Sequence, residues 1–140
     1  MEKIIGYTAG VYDLFHVGHL NLFKNAKKHC DYLIVGVNTD ELVKQYKNKL
    51  PVIPFKDRLE IVNSIKYVDV ATEENSLDRL SPALKHGASI VFIGSDWKNS
   101  PRWQQNEKLL SEHGIKVIYL DYTTAVSTSN IVNVCKNLCL

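Results

Sequence analysis

The stretch Gly10-Val11-Tyr12-Asp13-Leu14-Phe15-His16-Val17-Gly18-His19 separates a predicted strand from a predicted helix. The apolar run 4–9 before it is typical of a buried strand, and the segment 20–27 after it has apolar residues at helical spacing. A glycine turn between a strand and a helix N-terminus presents backbone N–H groups and the positive end of the helix dipole to a ligand. The pattern therefore predicts a binding site for a polyphosphate.

Two histidines strengthen this interpretation. His16 and His19 are three residues apart and share one face of the first helical turn, and Gly18 between them has no Cβ to keep a ligand from the backbone. A zinc-protease helix instead carries histidines at i and i+4 with a glutamate between them, and a dinucleotide-binding turn carries G-x-G-x-x-G. Neither pattern occurs here, so a metal centre and a nicotinamide site are both disfavoured.

Composition bounds the class of protein. The 140 residues are enough for one domain, 1–140, with one core. A net charge of +2 provides no global field that would attract nucleic acid or an anionic membrane. Cys30, Cys135 and Cys139 lack metal-type spacing and are expected to be reduced structural thiols. With no membrane-length apolar run and no signal-peptide pattern, we expect a cytoplasmic protein that binds neither nucleic acid nor membrane.

The rest of the chain alternates between strand and helix patterns. Further strands are predicted at 31–38, 68–71, 90–94 and 116–120, and helices at 40–46, 55–65, 76–86, 102–113 and 127–138. Right-handed crossovers then give an α/β fold, a Rossmann-like doubly wound sheet of five parallel strands in the order 3-2-1-4-5. Ligands of such sheets lie at the carboxyl ends of the strands, where the glycine turn and the loop after strand four would face each other.

The turn carries a resemblance to a known family. Gly10-Val11-Tyr12-Asp13 followed by His16-Val17-Gly18-His19 resembles the HxGH signature of nucleotidyltransferases, and within them the small cytidylyltransferases of the glycerol-3-phosphate type. Two later segments, 94–97 and 126–131, resemble that family's Gly-Asp-Asp-Trp and Ile-Ser-Thr-Thr-Lys-Ile segments. The resemblance implies transfer of CMP from CTP to a phosphorylated alcohol, such as glycerol 3-phosphate or a similar polyol or amino-alcohol phosphate, with release of pyrophosphate.

The resemblance also implies roles for individual residues. His16, His19 and Lys47 would be catalytic, the histidines as hydrogen-bond donors to the phosphates and the lysine, in the loop 47–54, as a cation at the transition state. Nucleotide binding is implied for Ala9, Gly10, Val11, Tyr12, Asp13, Gly18, His19, Gly94, Asp96, Thr123, Ser127 and Thr128. Substrate binding is implied for Asp13, Lys47, Arg58 and Lys66. Mg²⁺ would sit on the phosphates without protein side-chain ligands, and the protein would be a homodimer.

Several of these residues have a simpler structural interpretation. A loop lysine such as Lys47 is usually a solvated surface cation, and Asp13 could brace the turn by accepting hydrogen bonds from backbone N–H groups. Ser127 or Thr128 could cap the final helix, and Asp96 could cap a helix instead of reading the exocyclic amine of cytosine. From the residues alone, these alternatives stay open.

The chain also departs from the family pattern. Val11 has no hydroxyl where the family has threonine, Tyr122 replaces a phosphate-binding arginine, and Asn130 and Lys66 replace a lysine and an arginine. These changes leave the acceptor alcohol undefined. Two alternatives remain: an ATP-dependent adenylyltransferase, since the heptose-type enzymes have a segment that resembles 127–131, and a non-catalytic nucleotide-binding domain.

Overall fold

The computed structural model describes residues 2–95, 100–121 and 127–138. Its strands are β1 (Ile5–Gly10), β2 (Tyr32–Asn38), β3 (Val70–Glu74), β4 (Ile90–Gly94) and β5 (Lys116–Leu120). Its helices are α1 (Val17–Lys27), α2 (Asp40–Lys47), α3 (Phe55–Asn63), α4 (Leu80–His86), α5 (Pro101–Glu112) and α6 (Thr128–Leu138). The strands form one parallel sheet in the order β3-β2-β1-β4-β5. The predicted α/β, Rossmann-like architecture and its strand order are confirmed.

Helix α4 begins four residues later than the sequence pattern predicts. The carboxylate of Asp78 accepts hydrogen bonds from the backbone N–H groups of Leu80 (2.9 Å) and Ser81 (3.4 Å). These bonds satisfy donors at the start of the helix that would otherwise lack a partner, so the chain from Ser76 to Asp78 stays outside it. The connection between β3 and α4 is consequently longer than predicted, and Arg79 lies at its end.

The prediction that Lys47 belongs to the loop 47–54 is wrong, because Lys47 is the last residue of α2. Asn48 adopts the left-handed conformation (φ 59°), and its N–H donates to the Lys44 carbonyl at 2.9 Å, which closes the helix. At the other end, the Thr39 hydroxyl accepts from the N–H of Leu42, as the sequence pattern predicts for a cap. The short helix therefore gives Lys47 a defined position.

The hydrophobic core lies on both faces of the sheet. On one face Phe23, Leu33 and Phe92 are fully buried, and on the other Tyr7 and Val91 are. Burial of such side chains contributes on the order of 1.5–3 kcal/mol each. No helix in the described ranges is long and apolar enough to cross a membrane.

The sheet opens between the neighbouring strands β1 and β4 at their carboxyl ends. The pairing of β1 with β2 continues to Gly10, but its pairing with β4 stops at Tyr7 and Val91. Beyond that point the Thr8 hydroxyl donates to the Phe92 carbonyl at 3.0 Å. Since β1 is also where the strand order reverses, a crevice forms at the carboxyl edge of the sheet, the place where this class of fold binds ligands.

Candidate active site

A cleft of about 550 Å³ occupies this crevice. Most of the site residues implied by the sequence line it: Ala9, Gly10, Val11, Tyr12, Asp13, His16, Gly18, His19, Lys47, Ser127 and Thr128. Among the described residues, Gly94, Arg58 and Lys66 do not line the cleft. Asp96 and Thr123 lie outside the residues that the structure describes.

His16 and His19 form the N-terminal cap of α1. The Gly18 N–H donates to Nδ1 of His16 at 3.0 Å, and the His16 N–H donates to Nδ1 of His19 at 3.3 Å. This is the reciprocal arrangement of a capping box, in which two orphan backbone donors are satisfied by side chains three residues apart. The two imidazole rings stack with their centroids 3.9 Å apart.

The cap fixes which ring nitrogen of each histidine carries hydrogen. Because Nδ1 of each ring accepts a hydrogen bond, a neutral ring has its hydrogen on Nε2. Burial lowers the pKa of His16, and burial together with the charge of a protonated His16 lowers the pKa of His19 to about 4 against an opposing effect of Asp13. Both rings are therefore neutral at pH 7 in the free protein, each with one N–H donor on Nε2.

Asp13 braces the glycine turn. Its Oδ2 accepts from the N–H of Val52 at 2.7 Å, and its Oδ1 accepts from the N–H groups of Ile53 at 2.9 Å and Leu14 at 3.1 Å. The turn itself contains two non-glycine residues with positive φ, Tyr12 (56°) and Leu14 (48°). Such conformations cost energy and persist where the surroundings hold them. In the free protein, Asp13 thus accepts the backbone hydrogen bonds that the bracing interpretation predicts.

Arg58 is a structural residue in this protein, although the resemblance implies substrate binding. Its guanidinium has no exposed surface and donates to the carbonyls of Val11 and Asn38 (both 2.8 Å) and Ile53 (2.9 Å), and it pairs with Asp40 at 2.7 Å. These bonds occupy the donors that a phosphate would use. Arg58 therefore holds the glycine turn, the end of β2 and the loop before α3 together beneath the cleft.

Lys66 does not reach the cleft either. It is exposed after α3, and its ammonium lies 5.1 Å from the centroid of the Tyr67 ring. No contact within the described residues directs it toward the carboxyl edge of the sheet. Its predicted role in substrate binding therefore finds no support in its position.

Lys47 enters the cleft from the end of α2. Its ammonium lies 5.8 Å from the centroid of the Tyr46 ring. Desolvation and the charge of Lys49 lower the pKa of Lys47, and Asp13 opposes this effect. A lysine whose charge is incompletely compensated by the protein is suited to bind an anionic ligand.

The N-terminus of α6 faces the glycine turn. The Thr128 hydroxyl donates to the Asp13 carbonyl at 2.7 Å, and the Ser127 hydroxyl accepts from the Asn130 N–H at 3.0 Å. Both hydroxyls thus have structural partners, as the capping interpretation expects, and both still line the cleft. The N-termini of α1 and α6 therefore converge on the same space, where two helix dipoles favour an anion.

The cleft also contains residues that the sequence interpretation missed. These are Asn38, Arg79, Arg102, Trp103 and Lys136, among others. The prediction placed Arg79 inside a helix that starts at Ser76. In the structure, Arg79 is instead the last residue of the connection between β3 and α4. Asp78, a favoured helix-capping residue, was the signal that could have located it.

No group of three or more His, Cys, Asp or Glu side chains that could hold a metal ion occurs within residues 2–95, 100–121 and 127–138. Among the described residues, the carboxylates at the cleft are those of Asp13 and Asp121. Since both oxygens of Asp13 accept backbone hydrogen bonds, the described part of the cleft has few free oxygen ligands for a cation bound by protein alone.

Comparison with known proteins agrees with this architecture. The glycerol-3-phosphate cytidylyltransferase of Bacillus spizizenii is 39% identical over 132 residues, which cover 94% of this chain and 95% of that protein. The bifunctional protein HldE of Shigella sonnei is 33% identical over 134 residues, 94% of this chain and 27% of that protein. The lipopolysaccharide core biosynthesis protein of Thermoplasma volcanium superposes with a TM-score of 0.72 at 25% identity, covering 87% of this chain and 98% of that one. A family model described as cytidylyltransferase-like matches residues 7–134, and the chain therefore belongs to the cytidylyltransferase-like family.

Proposed function

We propose that this protein transfers the cytidylyl group of CTP to the phosphate of a small phosphorylated alcohol, giving a CDP-alcohol and pyrophosphate. The observation that carries the proposal is the pair of neutral histidines at the head of α1, with two Nε2–H donors side by side in the cleft. The relationship to the Bacillus spizizenii glycerol-3-phosphate cytidylyltransferase, over nearly the whole of both chains, supports this substrate class.

The reaction needs positioning and charge stabilisation more than proton transfer. The acceptor phosphate has a second pKa of about 6, so at neutral pH it is mostly dianionic and already nucleophilic. One of its oxygens forms a bond to the α-phosphorus of CTP, and the bond from that phosphorus to the β-phosphate oxygen breaks. Pyrophosphate leaves with the electron pair. Hydrogen-bond donors and cations held in place before the reaction lower the barrier of such a step.

Different residues of the cleft supply the hydrogen bonds and the positive charge for this step. His16 and His19 donate hydrogen bonds from Nε2 to the phosphates, and the capping bonds to Nδ1 keep both rings in the required orientation. Lys47 offsets the negative charge that builds up as pyrophosphate departs. The converging N-termini of α1 and α6 bind the triphosphate through backbone N–H groups, with Ser127 and Thr128 at the second helix.

Mg²⁺ is part of the proposal as a partner of the nucleotide. As the family resemblance implies, the ion would be bound by phosphate oxygens of the nucleotide and not by protein side chains. When bound there, Mg²⁺ supplies positive charge to the triphosphate.

The experiment is pyrophosphate release with Mg²⁺, crossing CTP and ATP with glycerol 3-phosphate, phosphoethanolamine, phosphocholine and sugar phosphates. We expect release that requires both CTP and an acceptor. Tight CTP binding without release with any acceptor of the panel would contradict catalysis and favour a non-catalytic nucleotide-binding domain.

Adenylyl transfer from ATP is a second candidate. The sequence Ser127-Thr128-Ser129-Asn130-Ile131 favours it, because it resembles the corresponding segment of heptose-type adenylyltransferases. The same crossed assay decides, since this candidate expects release with ATP and not with CTP.

A homodimer stays a prediction of the family resemblance, and a cytoplasmic location stays a prediction from the sequence composition. Light scattering of the purified protein tests the first, with an expected mass of twice the 15.9 kDa chain. A mass of 15.9 kDa at all concentrations would contradict it.

A further inference from the structure

Phe15 directly precedes the cap of α1, and none of the predicted site roles falls on it. Its side chain is partly buried against the hydrophobic core and does not line the cleft. The centroid of its ring lies 5.2 Å from that of the His19 ring, and the two planes are inclined by 37°. Centroid separations of about 4.5–7 Å are typical of aromatic rings in contact. Phe15 therefore contacts a proposed phosphate donor without itself reaching the ligand site.

The His19 ring is oriented by packing more than by hydrogen bonding. Its Nδ1 accepts one hydrogen bond, from the His16 N–H, and at 3.3 Å this bond is long compared with the usual 2.9–3.0 Å. In contrast, three aromatic rings contact the imidazole. The His16 ring stacks on it, and the Tyr12 ring meets it nearly edge-on, with centroids 5.5 Å apart and planes at 83°. Phe15 supplies the third ring.

Phe23 connects these contacts to the core. It is fully buried on α1, four residues after His19, and positions four apart share one face of a helix. Its ring centroid lies 5.9 Å from that of Phe15 and 5.0 Å from that of Tyr12. The four rings of Tyr12, Phe15, His19 and Phe23 thus form one aromatic cluster. Through this aromatic cluster, the orientation of His19 depends on side chains that belong to the core.

We infer that Phe15 is a positioning residue, whose ring, packed on Phe23, holds the His19 imidazole so that its Nε2–H points at the triphosphate. The effect on catalysis rests on the proposed function, whereas the orientation of His19 can be measured in the free protein. A leucine at position 15 stays apolar but has no planar ring, so it leaves the imidazole freer to turn. A misdirected donor stabilises the transition state less, although no contact of the substrate with residue 15 is lost.

The first test is NMR of the free protein labelled with ¹⁵N in the histidine rings, because the ring-nitrogen shifts report tautomer and protonation without any substrate. In the wild type at pH 8 we expect His19 to carry its hydrogen on Nε2 alone. In Phe15→Leu we expect a measurable share of the Nδ1–H tautomer. The pKa of His19 should also rise towards its ordinary value, because the ring is less buried. His16 and Asp13, whose charges act on His19, are unchanged in this variant.

The second test is steady-state kinetics at pH 8, where His19 is neutral. We expect Phe15→Leu to lower kcat on the order of tenfold and to leave the KM for CTP within threefold. Phe15→Tyr keeps the ring and should retain kcat within threefold. Phe55→Leu is the matched control, because Phe55 is also partly buried against the same core and does not line the cleft. It should lower the melting temperature by a similar amount and leave kcat unchanged.

A double variant tests whether Phe15 acts through His19. When Phe15→Leu is added to His19→Gln, we expect no further fall in kcat, because the imidazole that Phe15 orients is already absent. A further tenfold fall would contradict the inference. An equal fall of kcat in Phe15→Leu and Phe55→Leu would contradict it as well, since general loosening of the core would then explain both.

The NMR result separates this inference from the proposed function. An unchanged tautomer and an unchanged titration of His19 in Phe15→Leu contradict the inference, whatever the activity. If the wild type releases no pyrophosphate from CTP, the proposed function fails, and the NMR experiment still decides whether Phe15 orients His19. If Phe15→Leu does not fold, the wild-type spectrum and Phe15→Tyr decide. A mixture of His19 tautomers in the wild type, or a loss of kcat in a folded Phe15→Tyr, would then overturn the inference.

Discussion

His16 and His19 cap the same helical turn reciprocally, and their rings stack with centroids 3.9 Å apart. The bonds that cap α1 use Nδ1 of both rings and leave both Nε2–H groups as donors in the cleft. One set of contacts therefore stabilises the helix start and orients the proposed phosphate donors. Substitutions that keep the cap and remove the imidazole can separate these two roles.

The first prediction makes this separation. His16→Asn retains a favoured N-cap residue, and His19→Gln retains a residue found at the third position of capping boxes. We expect each to lower kcat about 100-fold or more, because a preorganised donor to the transition state is lost. The melting temperature should change by only a few degrees. The measurements are steady-state kinetics and thermal unfolding of the same preparations.

A near-normal kcat in both variants would show that the histidines only cap the helix. His16→Ala and His19→Ala serve as controls for the cap itself. They should lose the same activity and, in addition, about 1 kcal/mol of stability.

The second prediction concerns pH. The pKa of His19 is about 4 in the folded protein and about 6.5 in the unfolded chain. Between these values the unfolded chain binds more protons, so the free energy of unfolding falls as pH drops from 6.5 towards 4. We expect His19 to contribute a loss of roughly 3 kcal/mol over this window. Urea unfolding at several pH values measures it.

His19→Gln is the comparison for this pH series, because glutamine does not titrate. As the pH drops from 6.5 towards 4, its free energy of unfolding should fall less steeply than that of the wild type. Equal slopes in the two proteins would mean that His19 is not held neutral by its surroundings.

The third prediction separates stability from substrate binding at Arg58. Arg58→Met removes the donor that joins Asp40 to three backbone carbonyls, so we expect the free energy of unfolding to fall by about 3 kcal/mol. Lys56→Met, an exposed cation of the same helix, should change it by less than about 0.5 kcal/mol. Urea unfolding tests both. A stable Arg58→Met protein with a raised KM for the acceptor would restore the substrate-binding role.

The fourth prediction concerns Lys47. Lys47→Gln should lower kcat on the order of 100-fold, because a cation at the departing pyrophosphate is lost. Lys44→Gln is the matched control, since Lys44 belongs to the same helix but does not line the cleft. A kcat that falls equally in the two variants would show that Lys47 contributes only general positive charge.

The sheet and the position of the cleft could be predicted from the sequence because they follow from local patterns. Alternating strands and helices, right-handed crossovers and a glycine turn after β1 fix the strand order and the ligand-binding edge. The pairing of His16 with His19 follows from helical spacing alone. Their capping bonds and lowered pKa values could not be predicted, because they depend on how the rings pack.

The roles of the arginines needed the tertiary structure. Nothing in the sequence around Arg58 distinguishes it from a surface cation. Its burial depends on hydrogen bonds to carbonyls from three separate segments. The prediction missed Arg79 because the helical pattern of residues 76–86 placed the start of α4 before its capping residue Asp78. Side chains that bind the backbone of distant segments leave no periodic signal in the sequence.

The measurement that tests the central claim most directly is identification of the product. Wild-type protein is incubated with CTP, Mg²⁺ and glycerol 3-phosphate, and the mixture is followed by ³¹P NMR and mass spectrometry. We predict a CDP-alcohol whose diphosphate signals grow in step with those of pyrophosphate, and almost none of it with the His19→Gln variant. CMP, CDP or unchanged CTP as the only nucleotide with every acceptor tested would contradict cytidylyl transfer as the function of this protein.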